Sequence, residues 1–123
     1  MRDAAILFVA AIFGAMGIGA LLRPKDVLAQ FGVAVETPEG RNEVRAVYGG
    51  FGLAMAALLA VAALGDPATA EGIVVATAFG LVGLAGGRLV SAAHERPGGV
   101  YPVWVYFALE LVAAGLLLAA VWA

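Results

Sequence analysis

Cysteine is absent from the chain, which removes disulfides, thiolate metal sites and cysteine nucleophiles together. Histidine occurs once, as His94, so haem or metal ligation would have to proceed without a second imidazole or a thiolate; a surface histidine is the simpler reading. No serine, histidine and acid fall together at useful depth, which leaves hydrolytic chemistry without support. Charge is scarce as well. Only 13% of residues are Asp, Glu, Lys or Arg, against about 25% in ordinary soluble domains. The net charge of −2 and the lack of a clustered basic surface exclude a nucleic-acid partner.

What remains is apolar. Hydrophobic residues make up 63% of the 123 positions and the mean hydropathy is +1.00. A membrane span takes about 20 residues, so the length accommodates four spans and little else. The expected fold class is therefore all-α, one polytopic domain of four transmembrane helices covering 1-123, with the lipid bilayer as its solvent. The uncharged run from Ala4 to Leu22 is too long for the apolar core of a secretory signal and reads as a retained first span, 4-22. Arg23-Pro24 ends it. Residues 25-31 read as a short interfacial segment with Val27, Leu28 and Phe31 on one side, closed by Gly32. Thr37-Pro38 announces a second helix with a capping residue and proline at its first position, and its span covers 43-65. Asp66-Pro67 repeats the signal for a third span, 67-93. Pro97, Gly98 and Gly99 form the next turn, and Pro102 opens the fourth span, 102-122.

The distribution of charge predicts an orientation. Arg23, Lys25, Arg41, Arg45, Arg88 and Arg96, six of the seven basic residues, fall on one side of a four-span topology. Lysine and arginine accumulate on cytoplasmic loops, so the expectation is an inner-membrane protein with both long loops in the cytoplasm and both termini outside. Tyr101, Trp104 and Tyr106 at one end of the fourth span and Trp122 at the other fit aromatic belts. Small residues at helix-packing spacing (Ala10 and Gly14, Ala15 and Gly19, Ala46 with Gly50 and Ala54, Gly83 with Gly87 and Ser91) predict close helix approach, within the chain or with other membrane proteins or further copies of this chain. Gly49-Gly50-Phe51-Gly52 lies inside an apolar span with no strand before it, which excludes a phosphate loop.

Glu110 is the residue that most needs explaining. It follows Pro102 by eight residues, hence roughly 12 Å along a helix rising about 1.5 Å per residue, near the middle of a hydrocarbon layer about 30 Å thick. Ionisable groups at such depth find partners and mark functional sites by default. Arg45 and Arg88 enter from the same side, and guanidinium groups suit carboxylates because they offer several donors in a fixed fork. The expectation is a polar binding pocket built from Arg45, Arg88 and Glu110 with Asn42, Glu43, Tyr48, Ser91 and Tyr106 as its walls. The bland alternative is an ion-pair network that fixes helix register and binds nothing. No catalytic residue, metal site or cofactor motif is expected.

The stretch Asn42-Glu43-x-Arg45-Ala46-x-Tyr48-Gly49-Gly50 resembles a bacterial family of small four-helix membrane proteins known as a domain of unknown function. The likeness extends to Pro24 through Phe31-Gly32, to Gly87-Arg88 with Ser91, and to Glu110-Leu111-Val112. It implies the same four-helix fold and supplies no reaction; a looser likeness to DoxX-type membrane proteins is one of topology. The function expected is a small non-enzymatic membrane component, structural or accessory, or a binder of a small polar or lipid-like ligand. The alternative is a proton-coupled transporter using Glu110, similar to the small multidrug exporters, whose membrane glutamate however lies in their first helix.

Overall fold

A computed structural model describes residues 1–122. Among them there is no strand, and six α-helices follow in order: α1 (Arg2–Leu22), α2 (Pro24–Ala29), α3 (Pro38–Val44), α4 (Phe51–Leu64), α5 (Pro67–His94) and α6 (Val103–Trp122). A π-helical segment, Arg45–Gly50, joins α3 to α4 without a break. Residues Pro38–Leu64 therefore form one long helix, and four helices (α1, Pro38–Leu64, α5 and α6) are long and apolar enough to cross a membrane. This is the expected all-α architecture. The second helix begins earlier than the span read from hydropathy, because Pro38 and its cap start it before the apolar stretch does.

Proline and capping residues set the starts. Thr37 and Asp66 each accept a backbone N–H from the first turn that follows, from Gly40 and Thr69, both at 3.0 Å, and each precedes a proline whose missing N–H costs nothing at that position. The Thr69 N–H holds the Asp66 carboxyl below the usual carboxylate range. After α2 the chain turns at Gly32, whose φ of 76° is the left-handed conformation that glycine adopts most easily. The interfacial segment expected over residues 25–31 is thus a short helix and a turn.

The four long helices meet closely at only one end of the bundle. There Ile6, Val9, Leu59, Val74 and Leu117 are wholly or almost wholly buried, with Ala62, Ala70, Ala78 and Ala114 between them. Alanine at these positions lets backbones approach, which in lipid is where packing energy arises. Thr77, buried in the same region, donates its hydroxyl to the Ile73 carbonyl at 2.8 Å. Large apolar side chains facing away from this core, such as Phe8, Phe79, Val90 and Val112, are more than half exposed. An apolar exterior of that kind belongs in lipid.

The tightest contact is between α1 and the Pro38–Leu64 helix. A Cβ on Gly17 would lie 2.9 Å from the Gly49 carbonyl and from the Leu53 nitrogen, and one on Gly52 would lie 3.1 Å from the Phe13 carbonyl. Two arginines tie these antiparallel helices at both ends. Arg2 donates to the Ala62 carbonyl and Arg45 to the Leu21 carbonyl, each at 3.0 Å, so each helix carries near its start a cation that serves the carbonyl-rich end of the other. Of the small residues at helix-packing spacing, only some meet a neighbour within the chain. Gly14 makes an ordinary contact, whereas Gly19, Gly83 and Gly87 meet nothing within 4 Å.

Two outcomes are expected. Gly17→Val will destabilise the purified protein by about 1–3 kcal/mol, the usual cost of forcing volume into a packed contact, whereas Gly87→Val, where the added methyls enter open space, will leave the thermal midpoint in detergent nearly unchanged. Asp66→Ala will lower the midpoint at neutral pH. Because the Asp66 pKa is depressed in the fold, its contribution is present above the unfolded carboxylate pKa and fades as pH falls through the folded one; the deficit of the alanine variant relative to the parent will shrink over that acidic window.

Candidate functional site

Towards the other end of the bundle the helices part. Between them lies a cleft of about 570 Å³, within the range of cavities that hold drug-sized molecules, lined by α1, α2, the π segment, α4, α5 and α6. Its walls are mostly apolar: Val9, Phe13 and Met16 from α1, Phe51 from α4, Leu81 and Leu84 from α5, Leu109 and Ala113 from α6. Phe51 and Leu84, each more than half exposed, stand at its rim. The polar groups gather at one end, where Arg23, Asp26, Gln30, Tyr48, Tyr106 and Glu110 contribute.

Glu110 is buried, 7% exposed, and it is paired. Arg88 grips the carboxylate with two nitrogens: Nε donates to Oε1 and Oε2 at 3.0 and 2.9 Å, and a terminal amine donates to Oε1 at 2.7 Å. Such forked contacts are the strong form of charge-assisted hydrogen bond. The guanidinium also lies 5.5 Å from the Tyr106 ring centroid and 5.8 Å from that of Phe31, within cation–π range. Phe31 and Tyr106 are themselves 5.5 Å apart. Gln30, the residue before Phe31, accepts from the hydroxyls of Tyr101 and Tyr106 and donates to the Val27 carbonyl. In this way α2 and its turn are strapped to α6 across the base of the cleft, and α5 and α6 are joined through the ion pair.

Of the residues expected to form a pocket, the fold brings four together: Arg88, Glu110, Tyr106 and Tyr48. Tyr48 lines the same cleft as Tyr106 and Glu110. Arg45 is placed elsewhere, with its Nε on the Leu21 carbonyl, and it does not line the cleft. In an α-helix residues three apart share a face; Arg45 to Tyr48 lie in the wider π segment, closed by the Phe51 N–H on the Ala46 carbonyl, where that spacing does not hold. Asn42, Glu43 and Ser91 are exposed. Glu43 lines a separate groove beneath residues 33–37, and none of the three borders the cleft. His94 is exposed on α5, its Nδ1 donating to the Val90 carbonyl at 2.9 Å.

Gln30 and Phe31 were not among the expected wall residues. Hydropathy places their segment at an interface, and only the fold shows that it turns back under the bundle. A family model described as a domain of unknown function, DUF4345, matches residues 1–121. The chain belongs to the DUF4345 family. No curated protein and no solved structure matches it. In this DUF4345 chain the stretch Asn42 to Gly50 spans the end of α3 and the whole π segment, so the residues that carried the sequence resemblance are those that present Tyr48 to the cleft.

The pair makes a prediction. Removing one member of a buried ion pair leaves the other charge without compensation, at a cost of about 3–5 kcal/mol. Glu110→Leu and Arg88→Leu will each lower the stability of the purified protein by roughly that amount, and the double variant by much less than the sum of the two. Additive losses in a double-mutant cycle would show that the two side chains are not energetically coupled.

Proposed function

We propose that this chain is a non-enzymatic membrane protein that holds a small amphipathic, lipid-like molecule in the cleft, its apolar part between Phe13, Phe51 and Leu81 and its polar end at Tyr48, Tyr106 and Glu110. The observation that carries the reading is the coincidence of an apolar cleft of about 570 Å³ with a single polar end. Such a combination of apolar walls and few convergent polar groups is typical of sites that bind and orient small molecules. A purely structural ion pair needs no adjoining cleft. Exposed side chains at the rim, Phe51 and Leu84, give an occupant a lateral route from the surrounding lipid.

Proton-coupled transport is less well supported. It requires Glu110 to be released during each cycle, and all the hydrogen bonds described above from Arg88 to both carboxylate oxygens would have to break. Proton-driven uptake of a cationic dye into vesicles, abolished by Glu110→Gln, would favour transport over binding. In this reading the polar end of the cleft faces the cytoplasm of a cell with a positive-inside inner membrane, and both termini lie outside. A reporter active only in the cytoplasm, fused after Ala123, is expected to be silent.

Gly19 provides the test of the cleft. It lines the cleft, and a Cβ built on it meets nothing within 4 Å, so Gly19→Trp will fill the space without displacing backbone. Mass spectrometry of protein extracted gently into native-lipid nanodiscs is expected to find a small amphiphile retained by the parent and lost from Gly19→Trp, with the thermal midpoints of both proteins measured alongside. An identical set of retained molecules in a well-folded Gly19→Trp protein would overturn the reading.

A further inference from the structure

At the inner part of the polar end the one charged side chain is already matched: Glu110 is held by Arg88 at 2.7 Å. Arg23 and Asp26 pair with each other at the mouth, also at 2.7 Å, and are both largely exposed. Lys25 and Arg45 carry positive charge nearby in the sequence, but neither borders the cleft. A charged headgroup seated beside Glu110, Tyr48 and Tyr106, inward of the exposed Arg23–Asp26 pair, would face no free counter-charge there, and a desolvated charge without a partner is costly. The uncharged groups have a clear polarity. The Tyr106 hydroxyl spends its proton on Gln30 Oε1 at 2.8 Å and offers only its oxygen lone pair. The Glu110 carboxylate, an acceptor with about four lone-pair sites, takes three contacts from Arg88 and keeps capacity for another donor. Tyr48, whose hydroxyl makes no hydrogen bond to protein among the described residues, stands between the cleft and the groove beneath residues 33–37 and lines both.

We infer that the occupant is an uncharged amphiphile whose polar end is a hydroxyl, a long-chain or isoprenoid-type alcohol in chemical class, and not a fatty acid, a phospholipid or a cationic amphiphile. The inference rests on the binding role proposed above and specifies its ligand. A hydroxyl fits the groups on offer: its proton goes to the open acceptors at Glu110 or Tyr106, and its oxygen accepts from Tyr48. A carboxylate or phosphate brings acceptors to a place rich in acceptors. A quaternary ammonium offers a charge to a carboxylate that Arg88 has already neutralised. The apolar walls from Val9 to Phe51 are indifferent to these alternatives, so selection falls to the polar end.

Photoreactive probes distinguish the outcomes. Three long-chain diazirine amphiphiles of equal length, bearing a hydroxyl, a carboxylate or a trimethylammonium group, are added to the full-length protein in nanodiscs, and labelled residues are mapped by mass spectrometry. Saturable labelling of cleft residues by the alcohol is expected, with the two charged probes at least about tenfold weaker. Tyr48→Phe, which removes one hydrogen-bonding group while keeping the ring, is expected to weaken alcohol labelling about tenfold and to leave the thermal midpoint unchanged. Labelling of the cleft by all three probes with equal affinity, or preferentially by either charged one, would overturn the inference about the headgroup while leaving the cleft as a binding site. Failure of every probe to label the cleft of the parent protein would overturn the binding role itself.

Discussion

A carboxylate placed midway along an apolar helix has to be matched, and the pairing of Glu110 with Arg88 organises the open half of this bundle. The two residues sit on α5 and α6, so the pair joins those helices where their packing core has ended. Around it the local structure is assembled from contacts to the guanidinium and its neighbours. Phe31 and Tyr106 lie beside Arg88, Gln30 bridges two tyrosines, and α2 is thereby held across the base of the cleft. Loss of Arg88 alone would leave the Glu110 charge buried and unmatched and take the cation from the rings that contact it; loss of Glu110 alone would leave Arg88 without its carboxylate.

The closed half has a different physical basis. Alanines and glycines let the helices approach until dispersion and backbone contacts dominate, most closely where Gly17 faces Gly49 and Gly52. That contact fixes α1 against the Pro38–Leu64 helix, and the arginines at its two ends secure the register. One half of the molecule is therefore held by shape and the other by charge. The cleft lies in the half held by charge, and the cleft is what the ion pair alone does not explain.

Much of this was legible in the sequence, for identifiable reasons. Hydropathy runs and the Thr37-Pro38 and Asp66-Pro67 signals are local, so the four spans and two of their starts followed directly. Glu110 stood out because a charge in an apolar run is a contradiction that folding has to resolve, and Arg88 was near the right depth on the adjoining helix. Arg45 was expected to join them because an α-helical period was assumed through Tyr48. A π segment breaks that period, and nothing in Arg45-Ala46-Val47-Tyr48 announces it beyond the glycines that follow. Spacing also identified the small faces but not which of them meets a neighbour within the chain, because that depends on helix rotation, a tertiary property. Gln30 and Phe31 were invisible as site residues because their position under the bundle comes from the turn at Gly32 and from partners far along the chain.

A cleft that binds a molecule in the native membrane is distinguishable from a void beside a structural ion pair. An experimental density map of the protein in nanodiscs made from the lipids of its own membrane, without detergent exchange, tests this most directly. Elongated density is expected, running from the rim at Phe51 and Leu84 past Phe13 and ending within hydrogen-bonding distance of the Tyr48 hydroxyl, with Arg88 still on Glu110. A cleft that has closed by inward movement of α1 or α4, or one filled only by separate waters, would contradict it.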